Sequence, residues 1–231
     1  MLRGLAVFIA CVAAAPLRAE TVNVDIDGAS ITLAVPAGHC PLDRRVAADR
    51  SVIELVERGV ATSNRVLLAF AECAQRDEIR DGRRRFLDDF GQYMSPLRSG
   101  RIDMEPAAFA QRMTEHYKSQ GAQVMQRVLA EVREKIAGMR IGVRVGEQHL
   151  LGVLRTDERA MYLGLVQNLG RPDGSTILVV GVAALGLVKQ RVVSLNIYTR
   201  FEEGPSGAAT AVKLLETSVQ TYDSTARAST K

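Results

Sequence analysis

Apolar and polar residues alternate along this chain at two periods, and the places where one period gives way to the other mark out its elements. Val22, Val24 and Ile26 alternate with Asn23 and Asp25, and Ile31, Leu33 and Val35 alternate with Thr32 and Ala34, which predicts two half-buried strands. Asp27-Gly28 stands at their join, a pair suited to the positive φ of a tight hairpin turn, and Pro36-Ala37-Gly38 ends the second strand. From Ala48 the spacing becomes helical through Val52, Ile53, Leu55 and Val56, with Asp49 near the start and Gly59 near the end. Val66 to Ala71 is a short apolar run between polar residues and reads as a buried strand, with Cys73 just beyond it. Residues 75–104 are densely charged and aperiodic. Gln75 to Arg85 reads as a solvated loop, and Phe86, Leu87, Phe90 and Tyr93 fit either a helix turn or a strand.

Pro106 suits the first turn of a helix, and Phe109, Met113, Tyr117, Val124, Val128, Val132 and Ile136 recur on one face of it. Gly121 interrupts this helix and predicts a kink or a break, and Gly138 is its stop. The period then falls to two. Ile141 to Val145, Leu150 to Arg155, Ala160 to Asn168, Thr176 to Val188 and Arg191 to Arg200 read as successive strands. Their short connections make neighbours antiparallel, because a parallel crossover needs a dozen or more residues. Ile177 to Val188 holds no charge and is rich in β-branched residues, so it is expected to be the central strand, covered on both faces. Gly207 to Tyr222 closes the chain with a helix facing inward through Ala211, Leu214, Leu215 and Val219, and residues 223–231 read as a flexible polar tail. The expected class is α+β: an antiparallel meander sheet flanked by helices, with an N-terminal β-hairpin, in one domain over residues 20–222.

The first nineteen residues change the cellular setting. Arg3 precedes an apolar run from Leu5 to Ala15, too short to span a bilayer, and Ala19 stands ahead of Glu20, so residues 1–19 read as a signal peptide cleaved after Ala19. Lipidation at Cys11 is the lesser alternative, since it would leave an apolar segment of only about seven residues, at the short limit for such a signal. The expected location is periplasmic or secreted, with no membrane span after cleavage. Losing Arg3 and Arg18 with the signal takes the net charge from +4 to +2, too little for a general nucleic-acid binder. Cys40 and Cys73 then remain. A disulfide, two buried thiols or a metal pair with His39 are the three readings, and an oxidising compartment with an even cysteine count favours the disulfide. Such a bond, closing a loop of about 34 residues, would stabilise the fold by roughly 3 to 4 kcal/mol.

Chemical motifs are sparse. Gly138, Gly142 and Gly146 lack the spacing of a dinucleotide loop, and Gly181 to Gly186 lacks the Lys and Ser or Thr of a phosphate loop. His39, His116 and His149 do not recur at metal-ligand spacing, so no metal and no cofactor is expected. Arg83-Arg84-Arg85 could contact an anionic partner, yet Asp77, Glu78, Asp81, Asp88 and Asp89 lie in the same stretch and can neutralise it.

Val35-Pro36-Ala37-Gly38 after the hairpin, the apolar strand Ile177 to Val188, the return strand Val192 to Tyr198 and the closing helix together resemble the PsbP-like fold and its exported bacterial relatives. That resemblance implies an antiparallel sheet flanked by helices, acting as an accessory or assembly module, and it carries no ligand residues over to this chain. The long helix from Pro106 and the charged stretch 75–104 depart from the family's pattern. The function expected is therefore an exported, non-enzymatic binding or accessory protein of the cell envelope, partnered by an envelope protein or a small ligand. Two alternatives stand beside it. One is an extracytoplasmic hydrolase assembled from dispersed residues, with His39, His149 and the acids near 77–89 as candidates; the other is an envelope structural protein held by an uncleaved signal anchor. A cleft gathering histidines and carboxylates would favour the hydrolase, and a dry apolar groove with few titratable groups would favour binding.

Overall fold

In the computed structural model, which describes residues 20–98, 100–121, 130, 144–170, 174–202 and 204–230, Asp27 and Gly28 take the left-handed conformation with φ of 51° and 81°. They turn β1 (Thr21–Ile26) back onto β2 (Ala29–Ala34) in antiparallel register, Val22 opposite Leu33. The Asp25 carboxylate accepts the Gly28 N–H at 3.0 Å and holds the turn. The expected signal, residues 1–19, lies outside the described residues.

Chain order then runs β3 (His39–Pro41), α1 (Ala47–Val60), β4 (Asn64–Glu72), α2 (Cys73–Arg80), β5 (Phe90–Pro96) and α3 (Pro106–His116). Arg144–Thr156 forms β6, Ala160–Gly170 β7, Thr176–Val188 β8, Arg191–Arg200 β9, and Pro205–Ser229 the closing helix α4. Seven strands make one antiparallel sheet in the order β3-β4-β5-β9-β8-β7-β6, with the β1-β2 hairpin separate. The α+β class, the meander and the hairpin are as the sequence predicts.

Alternation along the strands sorts their side chains onto two faces. Phe70, Tyr93, Tyr162, Val182, Leu195 and Ile197 point into a core closed by the hairpin and α4. Ala69 and Ala71 point the other way and meet Ile53 of α1, while Leu187 and Val192 meet Phe109 of α3. The sheet is thus sandwiched, with α4 and the hairpin on one side and α1 and α3 on the other. Gly186 is required where α4 crosses β8, because a Cβ there would collide with the Arg159 carbonyl and the Tyr222 hydroxyl.

Four sequence expectations are corrected, and a fifth is met as far as the described residues extend. The segment read as a loop from Gln75 to Arg85 begins as α2, because its Arg80 guanidinium grips the fully buried Asp49 carboxylate at 3.0 and 2.6 Å and anchors the turn. The middle strand is β9, with β8 beside it: β5 takes β9 as its partner, a non-local choice that short connections do not reveal. Leu150 to Arg155 is not a separate strand but part of the 13-residue β6, whose register shifts disrupt the alternation that would have revealed its length. The helix from Pro106 gives way at Tyr117–Gly121 to a π-helical turn, where Gly121 predicted an interruption, and its expected continuation through Val124, Val128, Val132 and Ile136 lies outside the described residues, as does Ile141. Finally, residues 223–229 are helical and not a frayed tail, because Thr225 and Ser229 are buried against β2.

Candidate functional site

The amphipathic spacing of α1 sends Ile53 into the core and leaves Val52, Leu55 and Val56 half-buried along its flank. Together with the far end of the sheet they enclose a cleft of about 370 Å³. Leu87 and Phe90 bound it from the segment after α2, Ile79 from α2 itself, and Leu169 and Ile177, paired across the β7-β8 ladder, from the sheet. Phe90 is held in place by stacking on Tyr198, ring centroids 5.1 Å apart, and the desolvating surroundings of Tyr198 push its phenol up to about 12. Among the described residues only Glu54, Arg58 and Arg85 bring charge to the lining, and all three side chains are exposed. Such a concave, mostly apolar site at a junction of elements is the usual form of a small-molecule pocket, and its volume lies at the lower end of the roughly 300–1,000 Å³ range.

Arg83, Arg84 and Arg85 do not act as a block. Arg83 pairs with Asp81 at 3.0 Å, and Arg84 with Glu78 at 2.7 Å and Asp88 at 3.3 Å. Arg76 and Arg80 are likewise spent on Asp77 and Asp49. Arg85 alone of this run has no ion pair among the described residues, and it is the one that lines the cleft. Arg58, on the last turn of α1, is in the same condition: Glu54 lies one helical turn before it, yet the two form no ion pair.

Cys40 and Cys73 are joined by a disulfide with Cα atoms 5.0 Å apart, tying β3 to the start of α2. That removes Cys40 as a thiol nucleophile. His39 does find an acid, its Nε2 lying 3.0 Å from Asp89 Oδ1, with its ring edge-on to Phe70. His149, however, stands on β6 at the opposite edge of the seven-stranded sheet, and His116 ends α3. The dispersed hydrolase candidates are therefore not gathered into one place. Among the described residues no three His, Cys, Asp or Glu side chains converge as a metal centre requires.

Sequence reasoning missed this cleft because its walls come from five separate segments. The available signal was the apolar trio Phe86, Leu87 and Phe90 inside a charged stretch, which has no reason to be there unless it meets another apolar surface. The sequence matches no protein-family model and no curated protein.

Proposed function

We propose that this protein is exported across the cytoplasmic membrane and works, without catalysing a reaction, as a binding or accessory protein of the cell envelope that holds a small ligand beneath α1. The observation that carries the reading is the apolar cleft itself, whose described lining holds three charged groups and neither a histidine nor a nucleophilic cysteine. The Cys40–Cys73 bond supports the extracytoplasmic setting, since disulfides persist in oxidising compartments. No described helix is long and apolar enough to cross a membrane. The hairpin, antiparallel sheet and closing helix also support the resemblance to PsbP-like accessory modules.

A neutral fluorescent probe such as N-phenyl-1-naphthylamine, titrated into the periplasmic protein, tests the binding part. Its emission is expected to rise saturably, and Val56→Trp, which fills the cleft from α1, is expected to abolish the rise while leaving the far-UV spectrum unchanged. Equal binding to both proteins would overturn the assignment to this cleft. Intact mass of the same preparation tests export: a chain beginning at Glu20 is expected, and one retaining residues 1–19 would refute it.

A further inference from the structure

Resting on the reading of the cleft as a ligand site, we infer the chemical class of its occupant: a single-chain amphiphile with an ionised carboxylate head. The tail lies between α1 and the sheet, against Leu55, Val56, Leu87 and Phe90, where only apolar side chains are offered. The head meets Arg58 and Arg85 at the exposed rim.

Three observations select this class. First, the neighbouring arginines from Arg76 to Arg84 are neutralised by carboxylates of the chain, whereas the two that reach the cleft pair with none among the described residues. An arginine fork facing an apolar cavity is matched by a carboxylate, which it can bind through two parallel charge-assisted hydrogen bonds. Second, Glu54 shares the lining, so among the described residues two guanidinium groups and one carboxylate leave a single positive charge. That balance suits a monoanion, and Glu54 would repel the second charge of a phosphate monoester. Third, a cleft of about 370 Å³ is small for a drug-sized site and takes one hydrocarbon chain more readily than the two of a phospholipid.

Isothermal titration with decanoate, decanol, decyltrimethylammonium and decyl phosphate, each kept monomeric, tests the proposal. Decanoate is expected to bind about tenfold or more tightly than the neutral and cationic chains, through the charge-assisted contacts. The double variant R58Q/R85Q should lose that preference and bind decanoate and decanol alike, with decanol affinity unchanged from the parent. E54Q should strengthen decyl phosphate more than decanoate. If decanol binds as well as decanoate to the parent protein, or if R58Q/R85Q keeps the preference, the head assignment fails while the cleft reading survives. If none of the four chains binds, the cleft reading itself fails. Sedimentation with phosphatidylglycerol vesicles in place of monomer binding would show a membrane surface as the true partner and overturn the inference.

Discussion

The hydroxyls of Thr225 and Tyr93 lie 2.7 Å apart, 132 positions from one another in the chain, and with Ala34 they close a ring of three hydrogen bonds. Tyr93 donates to the Ala34 carbonyl at 2.9 Å, the Ala34 N–H donates to Thr225 Oγ1 at 2.9 Å, and Thr225 therefore gives its proton to Tyr93. One helical turn later Ser229 both accepts from the Thr32 N–H at 3.0 Å and donates to its carbonyl at 3.2 Å. Four residues of helix rise about 6 Å and two of strand about 6.6 Å, so the hydroxyls of α4 fall in step with the polar groups of β2. Lys189 completes the edge by donating to the Ser30 carbonyl at 2.9 Å. The outer edge of β2, which would otherwise offer open backbone for pairing, is closed by side chains.

Thr225→Val should accordingly cost about 1–3 kcal/mol, since it leaves the Ala34 N–H without an acceptor in the core and removes the bond that the Tyr93 hydroxyl accepts, while Tyr93 still donates to the Ala34 carbonyl. Tyr93→Phe should also destabilise, and the double substitution should cost less than the two single losses added together, because each breaks the same ring. Urea denaturation of the four proteins measures this; strict additivity would argue against the ring.

Arg80 and Arg83 offer a contrast within one charged segment. Asp49 is fully buried and accepts two hydrogen bonds from Arg80 and one from the Asp43 N–H at 2.8 Å, so Arg80→Met leaves an uncompensated interior charge. A loss of about 3 kcal/mol is expected. The Arg83 side chain is 63% exposed beside an equally open Asp81, and Arg83→Ala should shift stability by less than about 0.5 kcal/mol. Thermal melts of the two variants would separate them, and equal melting temperatures would refute the distinction.

Labelling of the denatured, unreduced protein with a thiol reagent, read by peptide mapping, should find neither Cys40 nor Cys73 reactive. Replacing both with Ser should lower the unfolding free energy by roughly 3 kcal/mol, the cost of releasing the loop between them in the unfolded chain. Two labelled cysteines in the parent protein would contradict the bond.

Alkali should unfold the protein through its phenols. Burial raises the pKa of Tyr93, Tyr162 and Tyr222 well above the ordinary tyrosine value. Each keeps its proton in the folded state at pH values where the unfolded chain has lost it. Their contribution to stability is therefore complete below about pH 10 and declines as the pH rises beyond that. Phenolate absorbance from these three should appear together with the loss of tertiary circular dichroism. A gradual rise in a protein that stays folded would show that they are accessible.

What the sequence alone determined is what rests on neighbours in the chain. Thr176 to Val188 and Arg191 to Arg200 are found with the predicted ends, because alternation and a two-residue turn, here Lys189 and Gln190 at positive φ, are local properties. The hairpin at Asp27-Gly28 and the favoured pairing of Cys40 with Cys73 follow from equally local or compositional cues. Tertiary structure decided the remainder, since it depends on which distant polar group each residue meets. Residues 223–229 are polar enough to fray alone, and they are ordered because β2 has unpaired backbone groups for Thr225 and Ser229. The charged segment after Cys73 turns into a helix whose Arg80 answers a carboxylate 31 positions earlier. The cleft exists because α1, α2, the segment around Phe86 and the ends of β7 and β8 meet, and that meeting, by leaving Arg58 and Arg85 without ion pairs among the described residues at an apolar hollow, separates Arg85 from its two paired neighbours.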